Sequence, residues 1–259
     1  MRFFLRGLTA GLILAVSNAG IWAQDGRLSP DLTGPEILAA VDENVSYRSS
    51  RTLSEMKIYD GDDLVATQRL LGYARGRKKA LTEVLHPSRD EGTRLLKLDD
   101  KIWMYIPDVD RVIKLAGHLL RQSVLGSDFS YEDLLEGSQT LAERYTARRL
   151  EDEEWRERKY YKIDLEARDK SVAYARQIMW VDPETFLPRK QELYSRQGKL
   201  LKLMETEGDW VLENRHYPRR FILRDLLRQS THTEMEVLEA AFNIDLDDEI
   251  FTVRYLRRP

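Results

Sequence analysis

Along "KYYKIDLEA" (159–167) apolar and polar residues alternate without a break. Tyr161, Ile163, Leu165 and Ala167 fall on one side of an extended chain, and Tyr160, Lys162, Asp164 and Glu166 on the other. That period of two predicts a strand with one dry and one wet face. The same pattern predicts strands at 51–59, 64–75, 79–85, 93–98, 101–106, 111–114 and 145–151. It continues at 175–181, 189–195, 200–205, 219–224, 231–240 and 252–256. The connections carry turn residues: "DGDD" at 60–63, "DD" at 99–100, "DPET" at 182–185, "RQG" at 196–198 and "EGD" at 207–209. Loops of that length join neighbouring antiparallel strands, and the helical crossovers that parallel pairing requires are absent. The expected fold is mainly β with a few helices, built as a long antiparallel meander.

Three segments break the alternation. In "LTGPEILAAVDENV", Thr33 and Glu36 form a capping box and Leu32 and Ile37 a hydrophobic staple, so a helix is predicted from about Pro35. Between 115 and 143 the period of two lapses, and "SDFSYEDLLEGSQTLAERY" reads as helical. "NIDLDDEIFT" reads as a short helix or turn before the last strand. A sheet with one apolar face must be covered, and these pieces are the ones able to cover it. "QIMWVD" and "KIWMYIP" are apolar on both faces. They fit either central strands buried on both sides or an apolar cavity between a curved sheet and its helices.

The amino end changes the compartment. Arg2 and Arg6 precede "GLTAGLILAVSNAGIWA", the pattern of a secretory signal cleaved after Ala23, or alternatively after Ala19. Residues 24–259 are then expected to form a single domain, exported to the periplasm. The Gly and Asn interruptions make the leader a poor permanent anchor, and no later apolar run approaches a bilayer-spanning length. No stable membrane insertion is expected after cleavage. The chain has 259 residues, 42% hydrophobic and 33% charged, enough for one sizeable core. With Cys 0, disulfides, thiolate metal sites, cysteine nucleophiles and a lipid-bearing cysteine are excluded. The net charge of -3, which loss of Arg2 and Arg6 takes to about −5, argues against nucleic acid as a partner.

Candidate chemistry concentrates in "GSDFSYEDL" (126–134). A nucleophile elbow needs glycine on both sides of its serine, which neither Ser127 nor Ser130 has, and the four histidines show no useful spacing. A helix start accounts for the segment better: Ser127 or Asp128 as cap, or Ser130 with Asp133 three residues on. There is no HExxH, no EF-hand loop and no glycine-rich phosphate cradle, so no catalytic residue, metal or cofactor is assigned. "RGRKK" (75–79) is a solvated turn or a contact for anionic head groups. Trp103, Tyr105, Phe129, Tyr131, Trp180, Trp210 and Tyr217 each read singly as core, yet as a set they favour binding over chemistry.

In order, "DDKIWMYIPDVDRVIKLAG", "GSDFSYEDL", "YYKIDLEA", "MWVDPETFLPRKQELYSRQGKLLK" and "FTVRYLRR" resemble the outer-membrane lipoprotein-sorting (LolA-like) family. The likeness is to the branch associated with MMPL or RND-type exporters, and it spans roughly residues 51–256. The resemblance implies a strongly curved antiparallel sheet, an incomplete barrel, with helices covering its concave face around an apolar cavity. It implies a carrier or binding protein whose partners are the acyl chains of a lipid or lipoprotein. The alternative is a non-carrying accessory subunit of an inner-membrane exporter. Trp103, Tyr105, Phe129, Tyr131 and Trp180 are the expected ligand-binding residues. Pro107, Arg111, Gly126, Ser127 and Asp128 are carried over as signature positions.

Overall fold

The computed structural model describes residues 28–136, 139–212, 215–228 and 230–258. The expected signal segment lies outside them. After helix α1 (Gly34–Asn44) come β1 (Ser49–Asp60), β2 (Asp63–Arg75), β3 (Lys79–His86), β4 (Arg94–Leu98), β5 (Lys101–Ile106) and β6 (Arg111–Leu115). The segment that follows carries a 3-10 turn at Gly117–Arg121 and two short helices, α2 (Tyr131–Glu136) and α3 (Leu141–Arg144). The chain then runs through β7 (Tyr145–Arg149), β8 (Glu153–Trp155), β9 (Arg158–Ala167), β10 (Arg176–Val181) and β11 (Pro188–Tyr194). It ends with β12 (Leu200–Leu212), β13 (Arg215–Asp225), β14 (Thr231–Phe242) and 3-10 turns at Asp248–Phe251 and Tyr255–Arg257.

All the strands belong to one curved, open, antiparallel sheet in the order β6-β5-β4-β3-β2-β1-β14-β13-β12-β11-β10-β9-β7, with β8 paired to β9. Two meanders run outward from the centre, where β1 pairs with β14. The free edges are β6 and β7, and the stretch between them in sequence is the lapsed segment 116–144. The chain therefore has to cross from one edge of the sheet to the other with that segment, which makes it a lid by topology.

At α1, the Glu36 carboxylate accepts hydrogen bonds from the Thr33 N–H (2.8 Å) and hydroxyl (2.6 Å), so the helix starts where the capping signal put it. Ile37, Leu38 and Val41 pack on Tyr161, Ile163 and Met179. The helix lies so close to β7 that a Cβ on Gly34 would stand 2.7 Å from the Arg149 nitrogen.

Three expectations are corrected. Residues 252–256 are not a strand: Phe251 and Leu256 both turn onto Leu81 and Leu96, and residues five apart share a side only when the chain coils. "EGD" does not end a strand, because Gly208, at φ +61, kinks β12 and the ladder with β13 continues to Leu212. The 115–143 segment is not one helix; among its described residues the α-helical ones are those of α2 and α3. "QIMWV" is buried on both faces, as a central strand is.

Candidate functional site

Residues opposite each other in a ladder share a face, so the register sorts the whole sheet. One face carries Met104 on β5, Leu70 on β2, Met56 on β1, Met235 on β14, Phe221 on β13, Met204 on β12 and Met179 on β10. This is the face that α1 and the lid cover, the concave one. The other, convex face carries Trp103, Leu96, Leu81, Ile222 and Trp180; the C-terminal turns pack on part of it, and Trp155 of β8 packs with the Trp180 cluster.

The lid is fixed to the concave face by the segment that looked like a helix cap. The Asp128 carboxylate is 2% exposed and accepts from the Thr231 hydroxyl (2.8 Å), the Thr233 hydroxyl (2.7 Å) and the Asp225 N–H (3.2 Å). The Asp128 N–H in turn donates to Thr233 Oγ1 at 2.8 Å. Lys202 Nζ, also buried, donates to the Asp128 carbonyl (2.8 Å) and to Asp133 Oδ2 (2.6 Å), and the Tyr174 hydroxyl donates to Asp133 Oδ1. From the β13–β14 turn, Arg228 reaches the Ser127 carbonyl (2.6 Å), and Gln68 on β2 reaches the Leu125 carbonyl (3.0 Å). Burial and the neighbouring Asp133 push the Tyr174 hydroxyl far above the usual phenol range. Buried polar groups are costly unless paired, so this many on one patch make a latch. Ser130 and Asp133 form the reciprocal cap of α2. Ser127 Oγ is buried and donates to the Val124 carbonyl (2.7 Å). His232, the histidine nearest the latch in sequence, stacks on Tyr59 on the convex face.

Between α1 and the latched lid runs a strip of Leu70, Met204, Phe221 and Met235 that stays half-buried at the middle of the covered face. Apolar side chains there, on a covered face, are packed over only in part. At one end the strip reaches a break in the sheet. The β13–β14 ladder covers only Arg220↔Glu236 to Leu223↔Thr233, while both strands run further. In the gap Trp210 Nε1 donates to the Val237 carbonyl (3.3 Å). Aromatic rings gather beside it, with centroids 4.3 Å apart for Tyr47–Phe242, 5.3 Å for Tyr217–Phe242 and 6.4 Å for Tyr217–Phe221. We call this end the mouth.

The rim at the mouth is polar. An open cleft of about 580 Å³ runs among Ser46–Arg48, Arg75–Lys78, Gln139, Thr140 and Glu143. A neighbouring cleft of about 550 Å³ is lined by Lys78, Asp99, Glu132, Leu135 and Arg144. Asp42, buried at the end of α1, ties the rim together by accepting from the N–H groups of Leu141 (2.9 Å) and Ala142 (3.0 Å) and from Arg77 (3.3 Å). Behind the lid, Lys97 donates to the Leu134 carbonyl (3.1 Å); burial, reinforced by Arg77 and Arg144, pushes its pKa down to about 8.

The structure does not gather the five expected ligand-binding residues. Trp103 and Tyr105 lie on the convex face with Leu96 and the C-terminal turns, and Trp180 lies on the same face in a cluster with Tyr160, Ile178 and Trp155. Phe129 and Tyr131 pack from the lid onto Leu95 and Ile102 of the concave face. Of the signature positions, Gly126 (φ +82), Ser127 and Asp128 build the latch, whereas Pro107 starts a 3-10 turn and Arg111 is exposed at the edge of β6. Trp210 and Tyr217, weighed in the sequence as possible lining, are at the mouth. Met204, Phe221 and Met235 were not singled out, and their only sequence signal is the alternation of β12 to β14.

A curved, open antiparallel sheet with helices over an incompletely filled concave face is the LolA-like fold. A domain described as an outer membrane lipoprotein-sorting protein from Vibrio parahaemolyticus is 23% identical, with a TM-score of 0.77 over 87% of this chain and 98% of that one. A DUF1329 family protein from Desulfovibrio piger is 20% identical, with a TM-score of 0.78 over 86% and 97%. A LolA superfamily protein from Nitrosomonas europaea is 25% identical, with a TM-score of 0.73 over 86% and 99%. The chain belongs to the family whose model, described as an uncharacterized protein, matches residues 76–258. No curated protein matches the chain. Among the described residues no helix is long and apolar enough to cross a membrane.

Proposed function

We propose that this chain is a periplasmic carrier or binding protein for a lipid or lipidated cargo. Acyl chains lie along the strip of Leu70, Met204, Phe221 and Met235, entering past the aromatic mouth, and residues 24–259 form the mature domain. The observation that carries this reading is the half-burial of that strip on a face that α1 and a latched lid otherwise cover. A guest fills what the side chains leave open, and each methylene it hides contributes about 0.8 kcal/mol. About ten hidden methylenes would offset the ordering cost of a flexible chain and leave useful affinity. The work is burial and release, with no turnover.

Native mass spectrometry of the protein purified from a membrane-containing lysate is expected to find co-eluting lipid. Leu70→Trp, which fills the strip without adding charge, is expected to cut uptake of a fluorescent acyl probe at least tenfold. Phe221→Asp should do the same, and circular dichroism checks that both variants are folded. Lipid-free protein, with probe uptake unchanged in both folded variants, would overturn the carrier reading and leave the non-carrying exporter subunit as the better one.

A further inference from the structure

The basic turn "RGRKK" is not merely a solvated hairpin, because it folds over the mouth. Arg77 sits between α1 and α3, spending Nη2 on the Asp42 carbonyl (2.9 Å) and carboxylate (3.3 Å). Lys78 lines both rim clefts and is exposed, 3.8 Å from Asp99. Arg48 comes from the opposite wall and leans on Asn243 and the exposed Asp245 (3.3 Å). Arg75 is turned away, toward Asp248 on the C-terminal segment. Arg215 closes the far side by donating to the last carbonyls of the α1 region, at Glu43 and Ser46.

In this setting the Tyr47 hydroxyl is inaccessible to solvent and has no hydrogen-bond partner among the described residues. A buried hydroxyl in that state costs stability that a bound acceptor would recover. The charges nearby supply the sign of that acceptor. Burial, reinforced by Tyr217, holds the Tyr47 hydroxyl well above the usual range, and Arg77 and Arg215 oppose that shift. Arg77 and Lys78 act on Glu143, which hydrogen bonds from Thr140 hold low. Arg77 and Arg144 act on Lys97. Arg48, Arg77 and Lys78 line the cleft, and Arg215 bounds it. Of the facing carboxylates, Asp42 is committed to two N–H groups and Arg77, Glu143 lines the cleft and accepts from the Thr140 N–H, and Asp99 and Asp245 are exposed partners of Lys78 and Arg48.

We propose that the cleft formed by Tyr47, Arg48, Arg77 and Lys78 binds a phosphate group, that of an anionic lipid whose acyl chains occupy the concave strip. The inference rests on the carrier reading and adds the class of lipid. Tyr47 joins the two sites, since its ring packs against Phe242 and Tyr217 at the mouth and the residue also lines the cleft. The phosphate oxygens accept from the Tyr47 hydroxyl, the guanidinium of Arg77 and Lys78 Nζ, charge-assisted bonds that are strong where water is partly excluded. Exposed pairs such as Lys78–Asp99 and Arg48–Asp245 are worth little and yield to such a ligand.

The test titrates the full mature chain by calorimetry with three probes: short-chain phosphatidic acid, diacylglycerol of the same chain length, and inorganic phosphate. Phosphatidic acid is expected to bind at least tenfold more tightly than diacylglycerol, with the difference shrinking as salt rises. Arg48→Gln combined with Lys78→Gln, both at exposed positions, should abolish that preference and leave diacylglycerol binding unchanged. Tyr47→Phe, which removes only the unpartnered hydroxyl, should weaken phosphatidic acid several-fold without lowering the melting temperature. Equal binding of the two lipids would overturn the headgroup site while leaving the carrier reading intact. Failure of both lipids to bind would overturn both. Inorganic phosphate binding as tightly as phosphatidic acid, and lost in the same variants, would overturn the lipid assignment in favour of a free-phosphate site.

Discussion

The two faces of this sheet are finished in opposite ways. On the convex face charges are paired, across neighbouring strands as Arg220 with Glu234 (2.7 Å) and along β11 as Lys190 with Glu192 (3.0 Å). Trp180 is enclosed, between the ammonium groups of Lys190 (3.9 Å) and Lys162 (4.8 Å), while Trp103 is half-buried beside Lys114 and packs with the C-terminal turns. On the concave face polar groups are drawn into one latch, and the apolar strip beside it is left half-covered. The concave face keeps that strip half-covered between α1 and the lid. An aromatic that is fully enclosed therefore reports packing, and an apolar residue half-covered beneath a lid reports a place for something else.

The sharpest way to break this comparison is at Trp180, 2% exposed. Trp180→Ala is expected to cost about 3–5 kcal/mol in urea denaturation, since deleting a buried indole leaves a cavity. Acyl-probe uptake by the folded fraction should not change. A loss of uptake with little loss of stability would put the binding site on the convex face and reverse the assignment.

A smaller effect is expected at the latch. Asp128→Ala removes one carboxylate and leaves Thr231, Thr233 and the Asp225 N–H without their acceptor, at a cost of about 2–3 kcal/mol. The loss should be local, with faster amide hydrogen exchange through Gly117–Arg121 and α2 while the convex strands keep their protection. Uniformly faster exchange would mean that the lid and sheet open as one unit and that Asp128 is not a latch.

Most of the fold was legible because alternation is a strong signal in a sheet with two different faces. The run 101–106 was read with the bounds of β5, and the helix start at Thr33 was fixed by its capping box. The failures share one cause, that sequence patterns are local. β8 has three residues, too few to show a period. "FTVRYL" alternates well enough to look like a strand, but its neighbours Phe251 and Leu256 are claimed by Leu81 and Leu96 on strands far away in sequence. The site was less legible for the same reason. Trp103 and Met104 are adjacent and both apolar, and nothing within β5 says which of them faces the lid. That assignment needs the register across several ladders. Asp128 was read as a cap because a carboxylate near a helix start usually is one, whereas its partners Thr231 and Thr233 lie about a hundred residues away.

The smallest effect expected is a pH dependence, and it tests whether the concave face is dry behind the lid. Lys97 is pushed down from 10.5 to about 8, chiefly by burial, with Arg77 and Arg144 acting in the same sense. Its charged form is therefore disfavoured in the folded chain. Between pH 8 and 10.5 the unfolded chain holds a proton that the folded chain has released, so stability from this group rises with pH through that window and the penalty is fully present below pH 8. Lys97→Met removes the penalty along with the hydrogen bond to the Leu134 carbonyl, for a net gain of about 1 kcal/mol at pH 7. Denaturation midpoints measured from pH 7 to 10 should rise less steeply in the variant than in the parent. Parallel curves would mean that water reaches Lys97 behind the lid. The concave face would then be open to solvent between β4 and α2, and a carrier of acyl chains would have to keep them on the α1 side of that leak.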